Sequence, residues 1–394
     1  MKNNTIYIYL FIFLYNIPLL QNTKSIQLSG NIKTSSNIII NTIDYQIYNQ
    51  NTQNIINDIR KLKELEVFDS ISITIQDSIY LVTVIEKKTF SYSPIIKKID
   101  GLGWSLGPNI EINNIHGSTG IANILFTIGK VKSTKLKYRK NRYSFTFSNN
   151  QKNSIDESYL NNEQSIFGTY FLNKDKNIYL TFGNLKNKIK YKNTQSVEDY
   201  NFLKASFTYS YNTENNFLKT GFDINHALID DNHNYNKLFL EYVKNIDIVN
   251  NNNHSNVIFR TNIVLNTYPD DDVDVIDYEN LYLGGDNYVR GFNPNPVNNS
   301  IIVLDKLIFR NMIFQSIQFE VPFTSNQYID SKLFIFNDIA IGSNNYKHFT
   351  SDNKIKGYGF GIGLITPNNM RFDICIGLNE YGTAELHFFK NAIF

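Results

Sequence analysis

The stretch Phe202-Leu-Lys-Ala-Ser-Phe-Thr-Tyr-Ser-Tyr211 decides the fold. Leu203, Ala205, Phe207, Tyr209 and Tyr211 fall on one side of a two-residue repeat, and Lys204, Ser206, Thr208 and Ser210 fall on the other. A helix, with its 3.6-residue period, would scatter these side chains around its axis. A strand sorts them into one apolar and one polar face. The same rhythm recurs on both sides of this stretch. Tyr143, Phe145 and Phe147 alternate with Ser144, Thr146 and Ser148. Val257, Phe259, Thr261, Ile263 and Leu265 oppose Ile258, Arg260, Asn262, Val264 and Asn266. Met370, Phe372, Ile374, Ile376 and Leu378 oppose Arg371, Asp373, Cys375, Gly377 and Asn379.

The alternation runs from about Gly101 to Phe394. A soluble sandwich would bury the apolar face in a core, whereas a membrane barrel turns it toward lipid and keeps the lumen wet. Three features favour the barrel. The strands are about 10 residues long, the length that crosses a bilayer when tilted. Tyr and Phe gather at strand ends, as in interfacial girdles. The chain also finishes on a strand, Ala384-Glu-Leu-His-Phe-Phe-Lys-Asn-Ala-Ile-Phe394, with an aromatic last residue. Roughly fifteen candidate strands can be traced, and single-chain bacterial barrels use even numbers, which predicts an all-β, antiparallel transmembrane barrel of sixteen.

In front of the alternating region the pattern differs. Met1 to Asn4 is polar, Thr5 to Leu20 is apolar, and Thr23 and Ser25 stand at −3 and −1 of a cleavage site. The apolar stretch is short for a spanning helix and contains Asn16 and Pro18, so residues 1–25 read as a secretory signal peptide. No other apolar run is long enough for a transmembrane helix. Residues 26–90 mix signals: a strand ending at the Gly30-Asn31 turn, then Ile55, Ile56, Ile59, Leu62 and Leu65 at helical spacing, then two strands about Ile71 to Ile75 and Ile79 to Glu86. The order is β-α-α-β-β in one small α+β domain. Residues 91–100, rich in Ser and Lys and containing Pro94, read as a linker to a barrel spanning 101–394.

Bulk chemistry excludes several function classes. With 38 basic against 36 acidic residues, no positive field exists to capture nucleic acid by its phosphates. A single cysteine, Cys375, excludes a disulfide framework and a multi-cysteine metal site. The six His residues are scattered singly, and neither H-E-x-x-H nor G-x-S-x-G occurs. Gly357-Tyr-Gly-Phe-Gly-Ile-Gly363 alternates strictly with apolar residues and reads as a strand rather than a phosphate loop. Asp270-Asp-Asp-Val-Asp274 lacks the glycine and terminal Glu of a calcium loop and reads as a solvated turn. Neither an enzyme, a metal site nor a cofactor is expected.

One segment carries a family likeness. Leu281-Tyr-Leu-Gly-Gly-Asp-Asn-Tyr-Val-Arg-Gly-Phe292 resembles the signature of the BamA/TamA family of outer-membrane insertases and their translocon relatives. Val289, Arg290, Gly291 and Phe292 correspond to that family's VRGF/Y tip, carried on a loop folded into the barrel. Phe319-Glu-Val-Pro322, Phe336-Asn-Asp338, Gly359-Phe-Gly361 to Pro367 and Arg371-Phe-Asp373 follow in the family's order. The front domain is similar to a POTRA module through Gly30-Asn31 and Leu65-Glu-Val-Phe68. Departures are present: the family's F-x-D-x-G ends on Ala340, its glycine before the POTRA phenylalanine is Glu66, a glycine near the end of the last strand is Asn391, and one POTRA stands where several are usual.

What the resemblance implies is specific. Arg290 cannot escape burial by deprotonation, so inside a barrel it needs a carboxylate, and the implied partner is Asp338. Gly291 permits close approach and Phe292 packs in the lumen. A second element is the seam, where the last strand, ending at Phe394, meets the first. Gly101, Gly103 and Pro108 make that first stretch a poor ladder former, able to open and offer its edge to an incoming strand. The implied function is insertion of unfolded β-barrel clients into an outer membrane, bacterial or organellar. Membrane lipid and accessory assembly subunits are the further implied partners, and the front domain would face the periplasm. A polypeptide translocation pore and a passive porin or surface antigen remain the alternatives.

Overall fold

The computed structural model describes residues 26–43, 52–76, 79–99, 103–154, 158–173, 177–213, 215–229, 233–250, 253–268, 280–293, 307–325, 329–366 and 370–392. The expected signal peptide, Gly101, the Asp270 to Asp274 turn and Phe394 lie outside them. The chain divides into two units, one of residues 1–89 with Asn113–Thr119 and one of Phe90–Ile112 with Gly120–Phe394.

The first unit holds strands β1 (Ile26–Ser29), β2 (Phe68–Gln76) and β3 (Ile79–Glu86) with helices α1 (Ser36–Thr42) and α2 (Thr52–Lys63), in the expected order β-α-α-β-β. Its sheet runs β1-β3-β2, with β1 parallel and β2 antiparallel to β3. Ile39, Ile43, Leu62, Val67, Phe68, Ile73, Tyr80, Val82 and Val84 form its core. Gly30 adopts φ +84°, and a Cβ there would meet the Val84 carbonyl at 1.9 Å, so the turn after β1 requires glycine. Glu66 takes φ 59° at the position where the resembled module has glycine. A left-handed L-residue costs roughly 1 kcal/mol. Asn113–Thr119 packs within this unit, where Asn114 Nδ2 donates to Thr34 Oγ1 at 2.7 Å.

The second unit is a sheet of sixteen strands in an antiparallel meander. Its strands are β4 (Phe90–Ile99), β5 (Gly103–Ile115), β6 (Gly120–Gly129), β7 (Val131–Lys140), β8 (Tyr143–Asn153), β9 (Tyr159–Asn173), β10 (Ile178–Tyr191), β11 (Val197–Asn212), β12 (Asn216–Ala227), β13 (Tyr235–Asn250) and β14 (Asn253–Thr267), followed by β17 (Asn311–Ser325), β18 (Asp330–Ser343), β19 (Lys354–Ile365), β20 (Met370–Asn379) and β21 (Ala384–Ala392). Between β14 and β17 a two-stranded ribbon, β15 (Leu281–Tyr282) and β16 (Ile308–Phe309), belongs to a separate small sheet. The two ends of the large sheet come round to each other: the Trp104 ring on β5 lies 6.0 Å from that of Phe388 on β21.

The faces sort as the alternation dictates. Leu203, Phe207 and Tyr211 are exposed, while Phe202 and Thr208, of the opposite parity, are buried. Phe145, Phe182, Ile335 and Phe360 are each more than half exposed, an outlay no soluble protein makes on this scale. The inner face instead buries Asn161, Asn187, Asp223, Asn225, Gln318, Glu320, Asp338 and Asp373. Apolar outside and polar inside is the signature of a membrane barrel.

One boundary needs correction. Residues 91–99 of the expected 91–100 linker lie in β4, the first strand of the wall, and Gly103 and Pro108 lie on the second strand. Phe90, Tyr92, Pro94 and Ile96 share one face of this strand, and Phe90, Tyr92 and Ile96 are more than half exposed. Pro94 misled the reading as a breaker, but proline is tolerated on an edge strand because its missing N–H costs no ladder bond on the open side. The seam therefore falls at β4 rather than at Gly101 to Pro108. Pro94 and Pro108 are register partners in a non-hydrogen-bonded pair, so neither missing N–H breaks the β4–β5 ladder and that of Pro94 falls on the open edge.

Candidate functional site

The segment 280–293 folds inward as a compact knot before it reaches the wall. Leu283 N–H donates to the Leu307 carbonyl at 2.8 Å, Gly285 N–H to Val289 at 3.2 Å, and Val289 N–H back to Leu283 at 3.0 Å. Leu283, Val289, Phe292, Leu307, Phe309, Met312, Phe314, Ala340 and Ile355 share one buried cluster, so the loop carries its own apolar core. This core fixes the exit direction of Arg290.

Arg290 is 3% exposed, and every polar edge of its guanidinium is used. Nε donates to Asp338 Oδ2 at 2.7 Å and Nη2 to Asp338 Oδ1 at 2.8 Å, the two parallel bonds of a fork. The Arg290 backbone N–H adds a third bond to Oδ2 at 3.1 Å. Nη1 donates to Gln318 Oε1 at 2.7 Å and Nη2 also to Ser316 Oγ at 3.2 Å. The plane lies 3.5 Å over the Phe336 ring. Asp338 itself is fully buried. A desolvated carboxylate tolerates that only with a matched cation, and this one accepts three donors from a single residue. Strand alternation explains the convergence: Ser316 and Gln318 on β17, and Phe336 and Asp338 on β18, are inward positions, and Ser316 is the register partner of Asp338.

The wall is cut away where the loop lies on it. A Cβ at Gly357 on β19 would stand 1.8 Å from the Arg290 carbonyl oxygen, and one at Gly377 on β20 would stand 2.4 Å from the Gly291 nitrogen. Gly291 takes φ +108°, open only to glycine. Its N–H donates to His387 Nε2 at 3.0 Å, its carbonyl accepts from Asn379 Nδ2 at 2.9 Å, and His387 Nδ1 meets Asp286 Oδ1 at 2.7 Å. With Nε2 accepting, the proton sits on Nδ1 and is donated to the carboxylate. Asp286 belongs to the loop and His387 to β21, so the last strand is tied to the loop tip by a side chain that the loop itself orients.

A second charged group adjoins the first. Gln318 Nε2 donates to Glu320 Oε1 at 2.7 Å, Arg371 Nη2 donates to the same oxygen at 2.5 Å, and Arg371 Nε donates to Asp373 Oδ1 at 2.7 Å. Lys332 Nζ stands 3.6 Å from Glu320 Oε2. From Asp338 through Arg290, Gln318, Glu320 and Arg371 to Asp373, the inner faces of β17, β18 and β20 are joined by one polar chain.

The structure thus brings Val289, Arg290, Gly291, Phe292 and Asp338 together and leaves Gly103 and Pro108 elsewhere, on β5. Gln318, Ser316, His387, Asp286, Asn379, Gly357 and Gly377 were not singled out from sequence. Two of them were visible in part: Gly357 opens an alternating glycine run and Gly377 falls in the inward row of β20.

A sixteen-stranded wall, lipid-compatible outside and bearing an arginine-tipped loop on its inner face, defines an integral outer-membrane β-barrel with an internal loop. Within that class the chain belongs to the Omp85 superfamily, whose domain model matches residues 83–390. BamA from Haemophilus ducreyi lacking POTRA domains 1–3 is similar with a TM-score of 0.70 at 13% identity, over 93% of this chain and 83% of that one. CdiB from Acinetobacter baumannii is similar with a TM-score of 0.60 at 11% identity, over 93% and 72%. CdiB from Escherichia coli is similar with a TM-score of 0.57 at 11% identity, over 93% and 75%. Likeness at these identities shows the fold alone. Comparison with curated proteins gives no match.

Proposed function

We propose that this chain folds and inserts β-barrel client proteins into the outer membrane, with its front unit acting as a POTRA-like module in the periplasm. The observation that carries the reading is the asymmetry of the wall around the loop. Arg290, Gly291 and Asn293 bond to side chains on β17, β18, β20 and β21, which gathers one flank of the sheet around a single rigid knot. The other flank begins at β4, where Pro94 leaves the open edge without an N–H at that position. A wall braced on one side of its seam, with a proline on the open edge of the other, can open there and present the β21 edge to an incoming strand. No nucleotide or metal enters this account; burial and ladder formation in the client supply the free energy. Unfolded clients, lipid and accessory assembly subunits are the partners, and residues 1–25 would direct export, the bacterial envelope fitting such a leader.

Depletion of the protein in its native cell tests the proposal. The other membrane barrels should lose their heat-modifiable electrophoretic mobility. If they all stay folded while secreted polypeptides accumulate inside, the barrel is a translocation pore. If solute flux is the sole property lost, it is a porin.

A further inference from the structure

The outer face of β7 to β10 departs from the rest of the lipid-facing surface, and register makes the departure exact in position. Lys132, Gln151, Asn162 and Lys188 are successive ladder partners, and so are Thr134, Asn149, Gln164 and Lys186. All are outward positions, sharing parity with Phe145, Ile166 and Phe182. They line a hollow of about 480 Å³ together with Phe126 and Ser133, and no acidic residue lines it. Asp199, opposite Lys188 on β11, is the acid of that row. Among the described residues the side chains of Lys132, Lys186 and Lys188 are held in no ion pair or hydrogen bond.

Further along the same strands the surface turns apolar. Phe145, Gly168, Phe182, Ala205 and Ile224 form one row of ladder partners, and Tyr143, Tyr170, Leu180, Phe207 and Phe222 the next. Gly168 and Ala205 stand between large residues, leaving a second, apolar hollow of about 550 Å³. Tyr143 and Tyr170, their rings 5.2 Å apart, end this band. A lysine facing lipid is costly at the bilayer midplane and nearly free at the headgroups. Three such lysines beside two apolar rows of five residues each therefore mark headgroup level. Cationic and amide groups above, with open apolar slots below, match a molecule that carries phosphates, hydroxyls and acyl chains.

We propose that this face binds a phosphorylated glycolipid of the outer leaflet, Lys132, Lys186 and Lys188 holding its phosphates, Asn149, Gln151, Asn162 and Gln164 its sugar hydroxyls, and its acyl chains lying along the outer face toward the Gly168 and Ala205 hollow. The leaflet follows from chain direction. β4 enters the wall at Phe90, and β10, the seventh strand, runs the same way, so Tyr191 lies at the opposite end from Phe90. The assignment rests on the periplasmic placement of the front unit proposed above. It does not depend on what the barrel does to clients.

The purified full chain in neutral detergent, titrated with bisphosphorylated lipid A, phosphatidylglycerol or phosphatidylcholine and read by native mass spectrometry, tests it. Wild-type protein should retain lipid A at least tenfold more tightly than either phospholipid. The K132Q/K186Q/K188Q variant, shown folded by its heat-modifiable mobility, should lose at least tenfold of that affinity, and K186Q/K188Q an intermediate amount. Equal retention by wild type and the triple variant overturns the proposal, as does phosphatidylglycerol binding as tightly as lipid A. Because no client is present, failure here leaves the assembly function standing, and failure of client assembly leaves this site standing.

Discussion

Replacing Asp338 by alanine would leave the Arg290 guanidinium buried with only Gln318 and Ser316 as acceptors. Three bonds are lost at once, from Nε at 2.7 Å, Nη2 at 2.8 Å and the backbone N–H at 3.1 Å. Arginine does not neutralise itself by shedding a proton, so the molecule must either bear an uncompensated buried cation or release the loop. Removing one partner of such a pair costs about 3–5 kcal/mol. At 1.36 kcal/mol per decade that shifts the docked-to-released ratio by roughly two to four orders of magnitude. Hydrogen–deuterium exchange over residues 281–293 reads it directly, because Leu283, Gly285, Val289, Arg290 and Gly291 each commit their N–H inside the knot. Their exchange should accelerate by that factor in Asp338→Ala. The double variant Arg290→Met with Asp338→Leu should be less affected than the two single losses added, by about 2 kcal/mol or more, since removing both charges leaves neither stranded. Exchange within a few fold of wild type in Asp338→Ala, or strict additivity in the double variant, would refute the reasoning.

Gly357→Ala should loosen the same residues without touching a charge, at a cost of about 1–3 kcal/mol for overpacking, because its Cβ would fall 1.8 Å from the Arg290 carbonyl. Gly168→Ala, whose Cβ meets nothing closer than 3.8 Å, is the matched control and should leave loop exchange unchanged. His387→Phe strands the Gly291 N–H and removes one partner of the Asp286 carboxylate, and exchange at Gly291 should rise by roughly one to two decades, equivalent to about 1–3 kcal/mol. Cysteines at Trp104 and Phe388, whose rings are 6.0 Å apart, should be joined by a short thiol cross-linker. The linked barrel should keep its loop protection and lose client insertion; undiminished insertion with the ends joined excludes opening at the seam.

The strand wall was readable because a two-residue repeat survives any tertiary context: each barrel strand faces lipid on one side and water on the other, so the pattern is written locally. The sixteen-strand count followed from that rhythm. The failure at β4 is equally physical. An edge strand needs fewer ladder bonds, so Ser91, Ser93 and Pro94 could appear there, and their composition imitates a linker. Arg290 and Asp338 stood out because a buried charge demands a partner and the family signature supplied both positions. Gly357, Gly377 and His387 were hidden, since their roles depend on which residues the register sets opposite a loop some 70 to 100 positions away. A lone histidine or a glycine in a strand carries no local mark of such a contact. Glu66 is an instructive departure: the backbone kept the left-handed turn that the resembled module fills with glycine, although the residue changed.

The most direct test of the central claim is client folding in vesicles containing this protein. An unfolded β-barrel substrate should acquire its heat-modifiable form faster with the wild-type chain than in empty vesicles, and Arg290→Ala should remove that acceleration, with charge-swapped Arg290→Asp/Asp338→Arg restoring part of it. A wild-type chain that gives no acceleration, or an Arg290→Ala chain that folds the client as fast as wild type, would contradict the account.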